Sequence, residues 1–434
     1  MSWEAALLLV GLLLVALLVS GLPIPFALGV AGVAVLGAHG DARALASIGN
    51  VGWNTVESFI LTSVPLFLFM GEVILRSGLS TRFYRGVAVW LSGVTGQLLH
   101  SNVVASAIFS AVCGSSVATA AAIGTVAVPE MRTRGYEPRM VYGTIAAGGA
   151  LGNLIPPGIA QIIYAAMVDQ SVAKLFIGSV IPGVMVTLLF MAFIWVAVRL
   201  RPRLVPREET RPVARDYARA LADVFPVVAL MVAVLGSLWF GIATPTESAA
   251  IGAAGAVVLA VAYRGFTWAG LRSALVGTTR VTCMVLFIIV GAQILSFSLV
   301  KVGLNRQVTE WVVGLGLGKW ALFAVIVVVY MLLGMLIDGI SMMVLTLPVL
   351  YPIVVNAGFD PIWFGVVLTS LIELGLLTPP VGMVLFVIQG ISGAPLAEVA
   401  RGALPFMLLL LAGIVLMAVF PQTVLWLPAL ISPR

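Results

Sequence analysis

Charged side chains are scarce in this sequence: they make up 9% of the 434 residues, whereas 61% of the residues are hydrophobic. A soluble globular chain carries about 25% charged residues. This deficit excludes an ordinary water-soluble surface and favours a surface that faces lipid. Apolar runs long enough to span a bilayer recur along the chain. Because these runs do not alternate apolar with polar residues, we expect helices rather than a barrel.

Side chains that commonly carry enzymatic chemistry are also scarce, with two histidines and two cysteines. We find no metal-ligand cluster and no nucleophile paired with a base, which argues against an enzyme. Cys113 and Cys283 lie in apolar stretches without CxxC spacing, and we expect both to be buried small hydrophobic residues. The net charge of +6 comes from basic residues in short loops between spans. This distribution is typical of membrane topology rather than of nucleic-acid binding.

An internal repeat organises the chain. Shifting the sequence by 223 residues superposes five prolines and two glycines without a gap: Pro129 and Pro352, Gly135 and Gly358, Pro138 and Pro361, Gly152 and Gly375, Pro156 and Pro379, Pro157 and Pro380, Pro182 and Pro405. Since the chain has only 23 prolines, this register indicates a duplication. We therefore predict a first repeat over residues 1–198, a cytoplasmic linker over 199–223 and a second repeat over 224–434.

The basic residues predict that the two repeats have opposite membrane orientations. The loop 129–139 contains three arginines, whereas its mate, 352–362, contains none and carries Asp360. The positive-inside rule places the first loop in the cytoplasm and the second outside. With the N-terminus outside, 17 of the 23 basic residues fall on the cytoplasmic side and 6 on the outer side. Both chain ends are then periplasmic, and the arrangement is the inverted repeat of many secondary transporters.

The predicted fold is an all-α polytopic membrane protein with two inverted-topology repeats. Each repeat contains scaffold helices, a re-entrant helical hairpin and a discontinuous helix. The first stretch has Glu4 and no basic residue ahead of it, so we expect a retained span and not a signal peptide. The first repeat is predicted as spans 3–20, 24–38 and 58–75, a hairpin 98–128, a broken span 141–168 and a last span 178–198. The second is predicted as spans 224–240, 248–263 and 281–300, a hairpin 322–351, a broken span 363–389 and a last span 404–426.

Four helix interruptions indicate where ions and substrate are expected to bind. The hairpins turn at 113–119 and 336–341, and the broken spans are interrupted at 152–157 and 375–380. Each double proline removes two amide donors and leaves carbonyls of the preceding turn unpaired. Such carbonyls, together with Ser, Thr and Asn oxygens, suit a small cation such as sodium. The helices that restart after the breaks direct their N-termini toward an anionic group. The alternative is that each double proline merely kinks a helix.

Ionisable residues within spans are functional candidates, and each also has a structural interpretation. Asp338 at a hairpin tip is either a cation ligand or the N-cap of the helix that follows. Glu373 either supports a cation site or forms a structural pair. Glu72 precedes Arg76 by four residues, which favours an ion pair on one helix. The segment Thr244–Glu247 has the spacing of a capping box with proline at the first helical position.

At these motifs the sequence resembles the large membrane subunit of tripartite ATP-independent periplasmic (TRAP) transporters. The resemblance covers essentially the whole chain and is carried by Gly114–Thr119, Val128–Met131, Gly152–Pro157, Ala243–Glu247, Asp338–Ser341 and Leu377–Gly382. Members of this family often have a serine after the first double proline, where this chain has Gly158. Any ligand role of that serine is therefore lost here.

The resemblance implies a sodium-driven importer of small organic acids such as dicarboxylates or sugar acids, working by an elevator-type mechanism in the bacterial inner membrane. It implies no cofactor beyond sodium as the coupling ion. It implies two partners, a periplasmic substrate-binding protein and a small four-helix membrane subunit. Because the sequence begins directly with the first span, we expect that small subunit to be a separate chain. A stand-alone symporter or exchanger of the same architecture is the alternative.

The resemblance also assigns residues. It implies sodium binding by two repeat-related sets, which are Ser115, Ser116, Thr119, Gly152 and Asn153 in the first repeat and Asp338, Gly339, Ser341, Gly375 and Thr378 in the second. It implies a substrate between the hairpin tips, bound by Ser116, Asn153, Pro157, Thr378 and Pro380.

Overall fold

A computed structural model describes residues 3–206, 212–380 and 382–431, and these residues form helices joined by short connections, with no β-strand among them. Residues 207–211 of the predicted linker, the motif residue Val381 and both chain ends lie outside the described residues. The all-α fold predicted from the sequence is confirmed.

The helices of the first half are α1 (Trp3–Val19), α2 (Ile24–His39), α3 (Ala42–Ala46), α4 (Ile48–Val56), α5 (Ser63–Arg76), α6 (Leu79–Leu91), α7 (Leu98–Cys113), α8 (Ser116–Thr133), α9 (Pro138–Gly149), α10 (Ile159–Val168) and α11 (Val172–Leu200). Those of the second half are α12 (Ala214–Trp239), α13 (Pro245–Ala262), α14 (Trp268–Lys301), α15 (Leu304–Gly314), α16 (Lys319–Gly334), α17 (Gly339–Asn356), α18 (Pro361–Leu376), α19 (Met383–Ser392), α20 (Leu396–Val419) and α21 (Gln422–Ile431). Short 3₁₀ turns precede α5 and follow α11.

Among the described residues, seven helical segments are long and apolar enough to cross a membrane. A further candidate span is the pair α15 and α16, which are bent by 119° relative to each other. Several helices of the predicted hairpins and broken spans (α7, α10, α18 and α19) are apolar but too short to cross alone. This combination is that of a multi-pass membrane protein that contains both continuous and interrupted helices.

Local structure recurs at the spacing of the predicted duplication. The helix pairs α8 and α17, and α9 and α18, begin 223 residues apart. Ser115 and Asp338 cap the first pair, each accepting a hydrogen bond from the backbone amide three residues later. Glu137 and Asp360 cap the second pair, and each precedes a proline at the first helical position. The opposite membrane orientation of the two halves stays a prediction.

The helices pack in two groups. In one group α2 packs against α14, α5 against α13 and α14, and α12 against α6 and α13. The other group contains both hairpins and both broken spans, together with α11, α20 and α21. Glycines permit the close approach of α2 and α14, since a Cβ atom on Gly291 would lie 2.3 Å from the carbonyl oxygen of Pro25. The hairpins connect the groups, because α7 contacts α5 and α6 while α17 contacts α14.

Several sequence-based boundaries are wrong. The structure contains α6 and α15 where we expected loops. Helix α6 buries Leu79, Phe83 and Val87 at four-residue spacing, with Arg82 outside this stripe, so it is amphipathic rather than apolar throughout. Helix α14 begins 13 residues before the predicted residue 281. Helix α12 begins at Ala214, so part of the predicted linker 199–223 is helical, while its role as a cytoplasmic linker stays a prediction. The last predicted span is two helices, α20 and α21.

The two cysteines differ in environment. Cys113 is buried, as predicted, whereas Cys283 is exposed on α14. The prediction for Cys283 is wrong because an apolar stretch of a membrane protein can face lipid as well as a protein core.

Candidate ion and substrate site

The first hairpin turns at Gly114 and contacts the first broken span directly. Gly114 has φ of +58°, a left-handed conformation that side chains rarely adopt. A Cβ atom at this position would lie 2.5 Å from the carbonyl oxygen of Pro157. The carbonyl of Gly114 also accepts a hydrogen bond from the amide of Ile159, at 3.3 Å. The turn is therefore fixed at the point where the broken span resumes its helix as α10.

The break of the first broken span lies between α9 and α10 and includes a cis peptide bond between Pro156 and Pro157. Gly152 within the break lies against the start of α8. A Cβ atom on Gly152 would approach the Cα atom of Ser116 to 2.3 Å. This contact brings the next residue, Asn153, beside Ser116.

Ser116, Asn153 and Glu373 form a buried polar cluster that joins the two halves of the chain. The Asn153 side-chain amide donates to Ser116 Oγ and to Glu373 Oε1, both at 2.8 Å. The Ser116 hydroxyl donates to the same carboxylate oxygen at 2.5 Å, and the backbone amide of Asn153 does so at 3.2 Å. Glu373 has no solvent exposure. The cluster thus connects the first hairpin and the first broken span with α18 of the second half.

The second hairpin and the second broken span pack in a similar way. A Cβ atom on Gly334, at the end of α16, would lie 2.3 Å from the Cα atom of Gly375. Gly339, at the start of α17, lies against the side chain of Ile372. The second break contains a cis peptide bond between Pro379 and Pro380. The interrupted segments of each half therefore lie directly against one another.

The structure brings together three of the predicted residues, Ser116, Gly152 and Asn153. The hydroxyls of Thr119 and Ser341 are buried and make no hydrogen bond among the described residues. The Thr378 hydroxyl lies just after the end of α18 and donates to the carbonyl of Leu374 in that helix, at 2.7 Å. It makes no hydrogen bond to the cluster of Ser116, Asn153 and Glu373 among the described residues.

The remaining predicted site residues lie at the turns and breaks. Ser115 and Asp338 cap α8 and α17, and for Asp338 the N-cap interpretation is confirmed, with the Ser341 amide donating at 3.1 Å. Pro157 is buried, whereas its repeat mate Pro380 is exposed. Ligand roles of these residues stay predictions.

The sequence identifies Glu373 as a candidate that supports a cation site or forms a structural pair, but the residues assigned to sodium and substrate do not include it. Its signal in the sequence is an ionisable residue in the apolar stretch 361–376. Every residue of α18 from Ile362 to Leu376 is buried. Two other acidic residues have the structural roles predicted for them. Glu72 forms an ion pair with Arg76 at 2.8 Å, and Glu247 completes the capping box with Thr244.

A family model described as "Tripartite ATP-independent periplasmic transporter, DctM component" matches residues 11–423. The chain belongs to this family, as a TRAP transporter large permease subunit. This chain is 32% identical to the C4-dicarboxylate TRAP transporter large permease protein DctM of Pseudomonas aeruginosa. The alignment covers 87% of this chain and 88% of the relative. The chain is 31% identical to the protein of the same name from Rhodobacter capsulatus, covering 99% of this chain and 100% of that one. It is also 32% identical to the 2,3-diketo-L-gulonate TRAP transporter large permease protein YiaN of Escherichia coli, over 93% and 95% of the two chains.

Solved structures with the same fold are transporters. The YdaH transporter of Alcanivorax borkumensis aligns with this chain with a TM-score of 0.59 at 17% identity. The alignment covers 88% of this chain and 90% of YdaH. MtrF of Neisseria gonorrhoeae aligns with a TM-score of 0.57 at 12% identity, covering 89% and 85%. At these identities the similarity concerns the fold alone.

Proposed function

We propose that this TRAP large permease imports a small organic acid into the cell, driven by sodium. A periplasmic substrate-binding protein delivers the acid, and a separate small membrane subunit of four helices completes the complex in the bacterial inner membrane. The N- and C-termini of the large subunit face the periplasm in this proposal.

The observation that carries the proposal is the buried cluster of Ser116, Asn153 and Glu373 at helix interruptions. Polar side chains are costly within a membrane and are retained where they bind or conduct something. Interrupted helices supply carbonyl oxygens for a cation and helix N-termini for an anion. The oxygen-rich composition of both predicted ligand sets suits sodium.

The substrate class follows from the relatives. Their names specify C4-dicarboxylates and 2,3-diketo-L-gulonate as the compounds that these permeases serve. Both are small organic anions. We place such an anion between the hairpin tips, at Ser116, Asn153, Pro157, Thr378 and Pro380, where the N-termini of α10 and α19 favour negative charge.

The mechanism we propose is of the elevator type. Both hairpins and both broken spans belong to one packed group of helices. This group would carry ion and substrate across the membrane against the group that contains α2, α5 and α12–α14. The small subunit is proposed as a separate chain because relatives of nearly the same length are named large permeases.

Uptake into proteoliposomes tests the proposal. The vesicles contain the large subunit with its candidate small subunit, and organic acids are offered on the cognate binding protein with and without an inward sodium gradient. We expect uptake that requires both sodium and the binding protein. Uptake without the binding protein would favour a stand-alone symporter of the same fold, and uptake without sodium would contradict the proposed coupling.

The proposed ion and substrate ligands are tested in the same assay with Asn153→Ala and Thr378→Ala. We expect sodium-dependent uptake to fall by about tenfold or more, since groups that hold or orient a cation typically contribute this much. Insertion and assembly should be unchanged. Asn54→Ala, at an exposed asparagine of α4, is the matched control. Normal uptake with normal sodium dependence in both site variants would contradict the assignment.

A further inference from the structure

The two oxygens of the Glu373 carboxylate have different environments. Oε1 accepts three hydrogen bonds, one from the Ser116 hydroxyl and two from Asn153. Oε2 is equally buried and accepts none from the described residues. A buried carboxylate oxygen without a partner is costly, and such a group in a native fold calls for an explanation.

An ionised Glu373 would have no counter-charge within the described part of the chain. Burial disfavours the ionised form of a carboxylate, whereas the hydrogen bonds donated to Oε1 favour it. Among the described residues, no lysine, arginine or histidine forms an ion pair with Glu373. A buried charge without a counter-charge destabilises a protein strongly. An external cation at Oε2 would provide both the missing charge and the missing partner.

A second unpartnered oxygen lies on the same helix face as Ser116. Thr119 follows Ser116 by three residues on α8, a spacing that places both side chains on one side of a helix. Ser116, at the start of α8, donates to Glu373 from this side of the helix. The Thr119 hydroxyl has no solvent exposure and no hydrogen-bond partner in the part of the chain that the structure describes. A hydroxyl and a carboxylate are ligands suited to a hard cation.

We infer that Glu373 has two roles at one sodium site: Oε1 positions Ser116 and Asn153, and Oε2 ligates the ion together with Thr119. This inference rests on the proposed sodium coupling and adds to it a charged ligand contributed by the second half of the chain. Occupancy by sodium would then stabilise the contact between the two halves, because the ion and the cluster share one carboxylate.

The variant Glu373→Gln distinguishes a charged sodium ligand from a protonated glutamate that only makes structural hydrogen bonds. Glutamine keeps an oxygen that accepts from Ser116 and Asn153, and it imitates the protonated side chain, but it cannot offer an anionic oxygen. The purified full-length chain with its small subunit is titrated with sodium chloride, with potassium chloride as the ionic-strength control, and thermal unfolding is followed. We expect the sodium concentration for half-maximal stabilisation to rise by about tenfold or more, as for the loss of a ligand or its positioning group.

Glu72→Gln is the matched control, since Glu72 is also an acid within a helical span but is paired with Arg76. It should leave the sodium titration unchanged. If Glu373→Gln requires the same sodium concentration for half-maximal stabilisation as the wild-type protein, the inference is overturned. If the wild-type protein itself shows neither sodium-dependent stabilisation nor sodium-dependent uptake, the proposed sodium coupling is contradicted, and the inference with it.

If Glu373→Gln does not assemble, Thr119→Val provides the second test. Valine has nearly the shape of threonine and lacks the oxygen. We expect the same direction of change in the sodium titration. Thr125→Val, on the same helix, is the control, because the Thr125 hydroxyl already donates to the carbonyl of Ala122. Equal sodium affinity in Thr119→Val and Thr125→Val would contradict the proposed ligation of sodium by Thr119.

Discussion

Asp338 illustrates at the residue scale how one side chain can have a structural and a functional interpretation. One of its carboxylate oxygens accepts a hydrogen bond from the Ser341 amide and so caps α17. The repeat-related residue, Ser115, caps α8 with an uncharged hydroxyl. Capping therefore does not require a charge at this place. The negative charge of Asp338 is the part of the side chain that the cap leaves unexplained.

Substitution of Asp338 distinguishes the two roles. We expect Asp338→Asn to preserve thermal stability, because asparagine caps a helix as well as aspartate does. We expect the same variant to raise the sodium concentration needed for half-maximal uptake, because the charge is lost. Asp338→Ala removes the cap as well and should reduce the free energy of unfolding by about 0.5–2 kcal/mol. If Asp338→Asn keeps the wild-type sodium dependence, Asp338 is a capping residue and not an ion ligand.

Glu373 marks the limit of sequence reasoning at this scale. The sequence identifies it as an ionisable residue in an apolar stretch, and this alone makes it a candidate. Its partners Ser116 and Asn153 lie more than 200 residues earlier in the chain. No spacing or periodicity relates α18 to α8, because their contact is set by the packing of the two halves. The motifs were therefore predictable, whereas the cluster that they form with Glu373 was not.

At the scale of elements, the contact between a hairpin and a broken span depends on glycine. Gly152 and Gly334 each allow a backbone to approach closer than any side chain would permit. In the first half this contact holds Asn153 beside Ser116, and in the second it holds α16 against α18. A larger residue at either position must displace a backbone segment rather than a flexible side chain.

The variant Gly152→Ala tests this dependence. The added Cβ atom would lie 2.3 Å from Ser116 Cα and 2.4 Å from its amide nitrogen. We expect a loss of about 1–3 kcal/mol of stability, as in other overpacked sites, and loss of uptake. The control is Gly390→Ala, at a helical glycine where an added Cβ atom would have no described neighbour within 4 Å, and this variant should be neutral or slightly stabilising. Thermal unfolding and uptake of both variants are compared; equal behaviour would contradict a role for close backbone contact.

The elements that the sequence predicts well are those marked by glycine, proline and capping residues. Both hairpin turns and both breaks lie where these residues predict them. Helices α6 and α15 were missed, because their amphipathic pattern is neither long nor apolar enough for a span. The start of α14 was misplaced because Arg272 and Arg280 interrupt its apolar pattern, although they lie within one continuous helix. Charge ends an apolar run in the sequence but does not end a helix.

At the scale of the whole molecule, orientation in the membrane follows from charge rather than from packing. Helix starts recur at the spacing of the repeat, and this recurrence is compatible with halves that are parallel or inverted. The distribution of arginine predicts inversion. The segments 129–139 and 352–362, which include the ends of α8 and α17, are the most informative pair, since one carries three arginines and its mate carries none.

Cysteine labelling in intact cells tests the inverted orientation. Thr133 and Asn356 are repeat mates at the ends of α8 and α17, and both are exposed. We introduce Thr133→Cys or Asn356→Cys into a background that carries Cys113→Ala and Cys283→Ala. A membrane-impermeant maleimide should label the cysteine at position 356 in intact cells, because its loop is predicted to be periplasmic. It should label the one at position 133 only after the membrane is permeabilised.

The two positions control for each other, because they occupy equivalent places in the repeat and differ in the predicted side of the membrane. Uptake by each variant confirms that the labelled molecules are folded. Labelling of both positions from the same side would mean that the halves are parallel, and the two breaks would then not be related by inversion. Labelling from opposite sides would mean that the two halves are inverted. The interrupted segments of the two halves would then extend from opposite faces of the membrane toward the cluster at Glu373. This is the geometry that alternating access by inverted repeats requires.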